Sequence, residues 1–207
     1  MIGNERIVMP YVASFDIGIR NLAACFCKLN DDTYEIESVS SIHKYDLYME
    51  RCDSMDRRKC EACKRTRKGG MDEIDGLYHV LAGPLRDELK RSSVVLVERQ
   101  PPQGIVTVQA ILYERFIDRI RLMAPQKMHA FFGMTDLDYE GRKKRVEILA
   151  REVLCQKAEP DIVSRYDALP RKHDVADALC FVMCYSGQVQ KQKRPNAFSK
   201  FAYVGPP

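Results

Sequence analysis

The start of the chain alternates short apolar runs with polar turns. Residues 11–17 and 22–29 are apolar and are separated by a turn that contains Gly18 and Asn21. A second turn at 30–32 precedes a run at 33–42 that we interpret as a third strand. Runs of this length between Gly, Asn and Asp are typical of hairpins. We therefore predict three consecutive antiparallel strands.

Helical and strand patterns alternate after residue 70. Apolar residues at helical spacing predict a helix over 71–91 that Gly83 and Pro84 interrupt. The run 94–97 contains only Val and Leu, which predicts a strand buried on both faces with parallel neighbours. A stripe at helical spacing predicts that a helix follows and covers the sheet. Its members are Val106, Ala110, Tyr113, Ile117 and Ile120.

The last part of the chain adds a weak strand at 127–132 and helices at 141–155 and 175–185. The final helix is apolar almost all round, which favours a central, buried position. Hairpins first and crossovers later predict an α/β fold with a mixed five-stranded sheet flanked by helices.

Length and composition favour one domain. The chain has 207 residues, of which 45% are hydrophobic, enough for a single core. We assign residues 1–187 to that domain, residues 50–70 to a basic insertion within it, and residues 188–207 to a basic tail. No window resembles a signal peptide or a membrane span, so we expect a soluble intracellular protein. The net charge of +4 does not by itself indicate a nucleic-acid partner.

Four acidic residues occupy positions where a structural role is hard to assign. Asp16 and Glu98 each end an apolar strand, and Asp174 and Asp177 are three residues apart near the start of the last helix. Buried carboxylates are costly without partners, and hard divalent cations prefer oxygen ligands. The alternative for Asp174 is a helix cap, which Asp favours.

Three sequence blocks carry these acids: FDIGIRN at 15–21, VLVERQ at 95–100 and KHDVADAL at 172–179. In order and context they resemble the acidic motifs of RuvC-like resolvases. The resemblance is strongest to the poxvirus and large-DNA-virus branch, which is similar to the yeast mitochondrial cruciform-cutting enzyme. It covers residues 11–185, apart from 50–70, and excludes the tail.

The resemblance implies a ribonuclease-H-like fold and a branched-DNA substrate such as a Holliday junction. It also implies that Asp16, Glu98, Asp174 and Asp177 are catalytic and hold two Mg²⁺ or Mn²⁺ ions. The implied reaction is phosphodiester hydrolysis that leaves a 5′-phosphate and a ligatable nick. Since a resolvase cuts two symmetrically placed strands, we expect a twofold homodimer, and the helix at 105–123 is our candidate interface.

Basic and polar residues near the acidic motifs are candidates for DNA binding. Four basic residues in a row at 142–145 open a helix, where positive charge is unfavourable, so we infer an external anion. The alternative is a solvated helix face. The full candidate set is Arg20, Asn21, Gln100, Arg142, Lys143, Lys144, Arg145 and Lys172. His173 and Lys172 could contact the scissile phosphate or transfer a proton, or could simply interact with the helix start.

The basic insertion contains three of the eight cysteines, Cys52, Cys60 and Cys63. Cys60 and Cys63 have the spacing of a zinc knuckle, so structural Zn²⁺ is a candidate cofactor, with His43 or His79 as the fourth ligand. Neither histidine has a standard spacing, and the cysteines could instead be free. Between residues 50 and 70, eight basic residues against four acidic ones make a second DNA-facing candidate.

Other functions share parts of this pattern. An actin-like ATPase also begins with a strand and Asp-x-Gly, but it needs two such domains, for which 207 residues leave no room. A ribonuclease H acting on RNA–DNA hybrids, or a non-catalytic DNA-binding module on the same fold, remains an alternative.

Overall fold

The computed structural model describes residues 10–18, 21–47, 73–102, 104 and 106–193. Within these ranges five strands form one mixed sheet in the order β3-β2-β1-β4-β5. The strands are β1 (Tyr11–Ile17), β2 (Asn21–Leu29), β3 (Ile36–Asp46), β4 (Val94–Glu98) and β5 (Ile120–Met123). The mixed five-stranded sheet predicted from the sequence is confirmed.

The strand pairing follows the predicted alternation. β1 pairs with β2 and β2 with β3, both antiparallel, whereas β4 pairs in parallel with β1 and with β5. β4 is therefore the strand with two parallel neighbours that its apolar run predicted. β3 begins three residues later than predicted because Tyr34 continues the turn, with its N–H donating to the Asn30 carbonyl (2.9 Å).

Seven helices in the described ranges cover the two faces of the sheet. They are α1 (Glu73–Ala82), α2 (Arg86–Arg91), α3 (Val106–Arg115), α4 (Pro125–Phe131), α5 (Tyr139–Lys157), α6 (Pro160–Ala168) and α7 (Lys172–Lys193). Buried residues of α4 to α7 form one core cluster, on what we call the front face, and α1 to α3 form the other, on the back face. Side chains of β1 alternate between the two clusters, as the pleat of a strand requires.

The prediction of a helix that extends to Ile120 is wrong in two respects: where the helix ends and which of its sides is buried. α3 stops at Arg115, and Ile120 belongs to β5, which pairs with β4. The residues that α3 buries are Val108 and Leu112, whereas Val106 and Tyr113 of the predicted stripe are exposed. The helix carries apolar residues on two opposite sides, so periodicity alone could not decide which side meets the sheet.

The weak strand predicted at 127–132 is also wrong. This segment is α4, which starts at Pro125, and proline is favoured at the first position of a helix because its missing N–H is not needed there. α6, which the sequence analysis missed, begins in the same way at Pro160 and buries Ile162 and Tyr166. Their four-residue spacing was the available signal.

The last two long helices exceed their predicted bounds. α5 begins at Tyr139, where Asp138 caps it by accepting a hydrogen bond from the Gly141 N–H (2.7 Å). The basic run at 142–145 therefore follows the first turn instead of opening the helix. α7 runs to Lys193 and so extends into the segment assigned to the tail. None of the described helices has the length and apolarity needed to cross a bilayer.

Candidate active site

The first two acidic residues meet at the ends of neighbouring parallel strands. Phe15 of β1 is in register with Val97 of β4, so the next residue of each strand, Asp16 and Glu98, also lie side by side. Both side chains are on the front face. A hydrogen bond between the two carboxyl groups contributes to raising the pKa of Asp16.

The other two acidic residues come from the first turns of α7. Asp174 and Asp177 lie on one side of the helix because residues three apart are neighbours there. All four carboxylates line a single cavity of about 360 Å³. The convergence on which the sequence hypothesis depended is therefore present in the structure.

Mutual repulsion and burial change how these carboxylates titrate. Burial, together with the carboxylates of Asp177 and Glu98, raises the pKa of Asp16 well above its ordinary value. Burial, then Glu98 and Asp174, raises the pKa of Asp177 to about 7. Burial also raises the pKa of Glu98. Without a cation in the cavity, this set of acids retains protons at a pH where exposed carboxylates have lost them.

Asp174 lies in the first turn of α7, and its side chain contacts basic groups. Lys44 Nζ of β3 lies 2.9 Å from Asp174 Oδ2, and both side chains are nearly buried. Asp174 Oδ1 lies 3.1 Å from His173 Nε2 and 3.6 Å from a guanidinium nitrogen of Arg171. Asp174 Oδ2 nevertheless accepts no aligned hydrogen bond from any described residue, so the Lys44 contact is an ion pair only.

Gln100 fixes the orientation of Glu98. Its side-chain amide donates to Glu98 Oε2 (2.7 Å) and to the Ile17 carbonyl (3.1 Å), while its backbone N–H donates to Gln109 Oε1 (2.6 Å). In this structure Gln100 positions Glu98, and its role in DNA binding stays a prediction. The side chain of Gln100 thus ties together the ends of β1 and β4, and its backbone joins them to α3.

The four carboxylates are the residues predicted to bind divalent cations. No group of three or more His, Cys, Asp or Glu side chains in the described ranges could hold a metal ion as it stands. The donor set still fits a divalent cation, because carboxylate oxygens are the ligands that Mg²⁺ and Mn²⁺ prefer. Bound cations would displace the protons that Asp16 and Asp177 retain, and they would coordinate Asp174 Oδ2, which is ion-paired with Lys44 but accepts no hydrogen bond from a described residue.

The DNA-binding candidates divide into three groups. Arg142 and Lys143 line the acidic cavity, whereas Lys144 and Lys172 line a second cavity beside it. Asn21 and Arg145 line neither of these cavities, and Arg20 lies outside the described residues.

His173 also lines the acidic cavity, where burial lowers its pKa. It lies between Asp174 and Glu147.

The zinc hypothesis concerns residues that are not described: Cys52, Cys60 and Cys63 lie outside the described ranges. His43, one suggested fourth ligand, has both ring nitrogens engaged. Its Nε2 lies 3.0 Å from Glu88 Oε2, and its Nδ1 lies 3.2 Å from the Tyr45 hydroxyl. Structural zinc remains a prediction, and this histidine is a poor candidate for it.

Several residues of the cavity were missed by the sequence analysis. Lys44, Arg171, His129 and Tyr139 all contact the site or line it. Arg171 directly precedes the third acidic motif, which was an available signal. Lys44 offered none, because a lysine in the second half of an outer strand is usually solvated.

Comparison with solved structures places this architecture among known ones. The fowlpox virus resolvase in complex with Holliday junction DNA has a TM-score of 0.59 at 15% identity, over 86% of this chain and 98% of that chain. The yeast mitochondrial Holliday junction resolvase has a TM-score of 0.58 at 15% identity, over 91% and 82%. RuvC of Thermus thermophilus has a TM-score of 0.51 at 14% identity, over 87% and 97%.

No family model matches the sequence, and no curated protein matches it in sequence. At 14–15% identity the structural similarity concerns the fold alone. The chain has the RuvC-like, ribonuclease-H-like fold that its three acidic motifs predicted.

Proposed function

We propose that this protein is a metal-dependent, structure-selective DNA endonuclease that resolves Holliday junctions and other branched DNA. The observation that carries the proposal is the convergence of Asp16, Glu98, Asp174 and Asp177 on one cavity whose wall also contains basic residues. Four carboxylates alone would repel DNA, whereas carboxylates beside Arg and Lys suit a phosphate held by cations.

The chemistry assigned to the cavity is phosphodiester hydrolysis that leaves a 5′-phosphate nick. When bound, two Mg²⁺ or Mn²⁺ ions supply activation of the attacking water and stabilisation of the leaving oxygen. The chain supplies the ligand oxygens, Asp16 and Glu98 from the rigid sheet and Asp174 and Asp177 from α7. Gln100 holds Glu98 in one orientation, and Lys44 does the same for Asp174.

Phosphate binding falls to the basic residues of the cavity wall. Arg142, Lys143 and Arg171 line the cavity with the acids. Their charges attract the DNA backbone without reading its sequence, so they account for affinity and for sensitivity to salt. These residues contact one DNA strand at the cleavage site, so selectivity for a branched substrate must come from other parts of the protein.

The fold comparison and the surface of α3 support a junction over a linear substrate. The similar solved structures are resolvases, one of them bound to Holliday junction DNA. Cutting two strands across a junction requires two active sites in a twofold dimer. Val106, Ala110 and Tyr113 of α3, with Ile117 just beyond it, form an exposed apolar stripe, and we assign the dimer interface to this stripe.

The decisive experiment is cleavage of a four-way junction, an RNA–DNA hybrid and linear duplex in Mg²⁺ by wild-type protein and Asp174→Asn. We expect the wild type to cut the junction into ligatable nicked duplexes. Asp174→Asn should lose at least about 1,000-fold in cutting while binding the junction nearly as well, because a ligand is lost but the basic wall is kept.

Asp161→Asn is the matched control, since Asp161 is an exposed acid of α6 that pairs with Arg165 on the same helix and lines neither cavity. It should cut like the wild type. Unchanged cutting by Asp174→Asn would contradict the site. Preferential cleavage of the hybrid would favour the ribonuclease H alternative, and junction binding without any cutting by wild-type protein would favour the non-catalytic module.

A further inference from the structure

A cavity of about 340 Å³ on the back face is lined by basic side chains and, among the described residues, by no acidic one. We call it the basic cavity. Its basic residues come from α2, from the end of α3 and from the turn before β5: Arg86, Lys90, Arg115 and Arg119. The rest of its lining belongs to the buried core cluster of the back face: Leu81, Leu89 and Phe116.

The basic cavity is separate from the acidic cavity. The apolar residues that line the acidic cavity, among them Met128 and Phe181, belong to the core cluster of the front face. Arg119 donates to the carbonyl of Ser92, which lies just before the start of β4, whereas Glu98 lines the acidic cavity from the end of β4. The two cavities therefore lie on opposite faces of the sheet and at opposite ends of β4. They share no residue, so a ligand of one does not occupy the other.

The positive charges of the basic cavity are poorly neutralised by the described part of the chain. Arg86 and Arg115 form no ion pair with a described residue. Lys90 Nζ lies 3.8 Å from Asp87 Oδ1, but both side chains are largely exposed, and such pairs contribute little. Like charges around a concave surface repel one another and focus a positive potential into it. An anion bound in the cavity would remove that repulsion.

Two of the guanidinium groups are held by contacts within the protein. The Arg119 guanidinium donates to the Ser92 carbonyl and lies 5.3 Å from the centre of the Phe116 ring. The Arg115 guanidinium lies 6.0 Å from the centre of the same ring. Side chains that are already oriented lose less conformational entropy when they bind a ligand. The ring of Phe116 thus keeps two positive charges close together at one wall of the cavity.

A phosphate group matches this arrangement. A guanidinium group can donate two parallel hydrogen bonds to phosphate oxygens, which is why arginine predominates in phosphate recognition. A single carboxylate would leave most of the positive charge in the cavity unneutralised. Pyrophosphate, or successive phosphates of a DNA strand, brings several negative charges and can engage residues of both α2 and α3.

We propose that the basic cavity binds a phosphate-bearing ligand, either a free phosphoanion or the backbone of a DNA segment other than the one being cut. Arg86, Lys90 and Arg115 contact the phosphate oxygens, and Arg119 with Phe116 forms the fixed wall. The site does not depend on the proposed nuclease function, because none of its residues lines the acidic cavity.

The test compares wild-type protein with Arg86→Gln on α2 and Arg115→Gln on α3. Both side chains are exposed, so glutamine removes a charge without disturbing the core. Arg91→Gln is the matched control, because Arg91 is also exposed on α2 but does not line the basic cavity. The probes are sodium pyrophosphate and a short linear DNA duplex. Calorimetry in EDTA at constant ionic strength measures binding, and thermal melting is measured in parallel.

We expect Arg86→Gln and Arg115→Gln each to weaken binding of at least one probe by about fivefold or more, since each removes hydrogen bonds between charged groups. Arg91→Gln should stay within about twofold of wild type, because a charge outside the cavity is screened by salt. Without a probe, all variants should melt close to wild type. Weaker binding of pyrophosphate alone would identify a free phosphoanion as the ligand, whereas weaker binding of the duplex would identify the DNA backbone.

Three results would overturn the basic cavity as a phosphate site. They are wild-type protein that binds neither probe, binding of both probes that Arg86→Gln and Arg115→Gln leave unchanged, and an equal loss in Arg91→Gln, which would indicate a general effect of net charge. Because no cleavage is measured and the acidic cavity is intact in every variant, each of these results would leave the nuclease assignment as it stands.

Discussion

α7 and α3 are apolar helices next to the same sheet, but they pack against it differently. α7 crosses the front face and buries residues around most of its circumference, among them Val175, Leu179 and Val182. α3 lies on the back face and buries Val108 and Leu112 while leaving Val106 and Tyr113 exposed. An apolar side on a helix thus indicates that this side is buried in a contact. The contact can be with the core of the same chain or with a second molecule.

The two helices also differ in the chemistry that their positions allow. The N-terminal turn of α7 lies against the ends of β1 and β4, where Asp16 and Glu98 are, so its own acids complete a carboxylate cluster. α3 carries no acid in its first turn, and its exposed stripe contains no charged residue. Catalysis is assigned to one helix and dimer formation to the other.

The largest expected difference between the two helices is in the free energy of unfolding. Val182→Ala on α7 should cost about 2–3 kcal/mol, because two buried carbons are lost and a cavity is left. Val106→Ala on α3 should stay within about 0.5 kcal/mol, since that side chain is 44% exposed. Urea denaturation of dilute protein measures both. Equal losses would mean that α3 packs on the core with the side that we describe as exposed.

The next effect concerns the proposed dimer. Ile117→Glu places a charge in the apolar stripe at a position that is 60% exposed, so it should raise the dimer dissociation constant by about 30-fold or more with little change in folding. Thr107→Glu, exposed on α3 but outside the stripe, is the control and should remain dimeric. Sedimentation or light scattering over a concentration series measures both. A dimer that tolerates Ile117→Glu would place the interface elsewhere.

The smallest effect is a pH dependence that only the α7 side should show. The folded protein without metal holds a proton on Asp177 up to a pKa of about 7, well above the value in an unfolded chain. The stability from this proton is complete below about pH 4 and is lost as the pH rises through 7.

Asp177→Asn should therefore be more stable than wild type at pH 8 in EDTA, by on the order of 1–2 kcal/mol, and should vary less between pH 5 and 8. Mg²⁺ should reverse the order, because it stabilises only a cluster that can bind it. Thermal melting at each pH, with and without Mg²⁺, measures the effect. A wild-type protein that gains stability from pH 5 to 8 in EDTA would contradict the assignment.

Local patterns in the sequence were sufficient for most of the fold and for the acidic residues. The hairpins, the buried strand β4 and the long helices each follow from a period of apolar residues over a short window. The carboxylates were identifiable because acids at the ends of apolar strands and on a buried helix are costly, so their presence requires a partner. The resemblance to resolvase motifs added their order along the chain.

The predictions were wrong for segments in which the local sequence pattern is compatible with two different structures. α3 has apolar residues on opposite sides, and β5 is a four-residue strand whose pairing with β4, not its own alternation, makes it a strand. Lys44 reaches Asp174 across 130 positions of the chain, and no local pattern encodes such a contact.

The sequence by itself determined which residues are apolar, which acids are out of place and where chain direction changes, because these follow from the chemistry of single residues and their neighbours. Tertiary structure alone decided that α3 turns one apolar side to solvent, that Lys44 and Gln100 orient Asp174 and Glu98, and that a second cavity adjoins the first. Each of these depends on which distant segments share a surface, and that is fixed by the packing of the whole core.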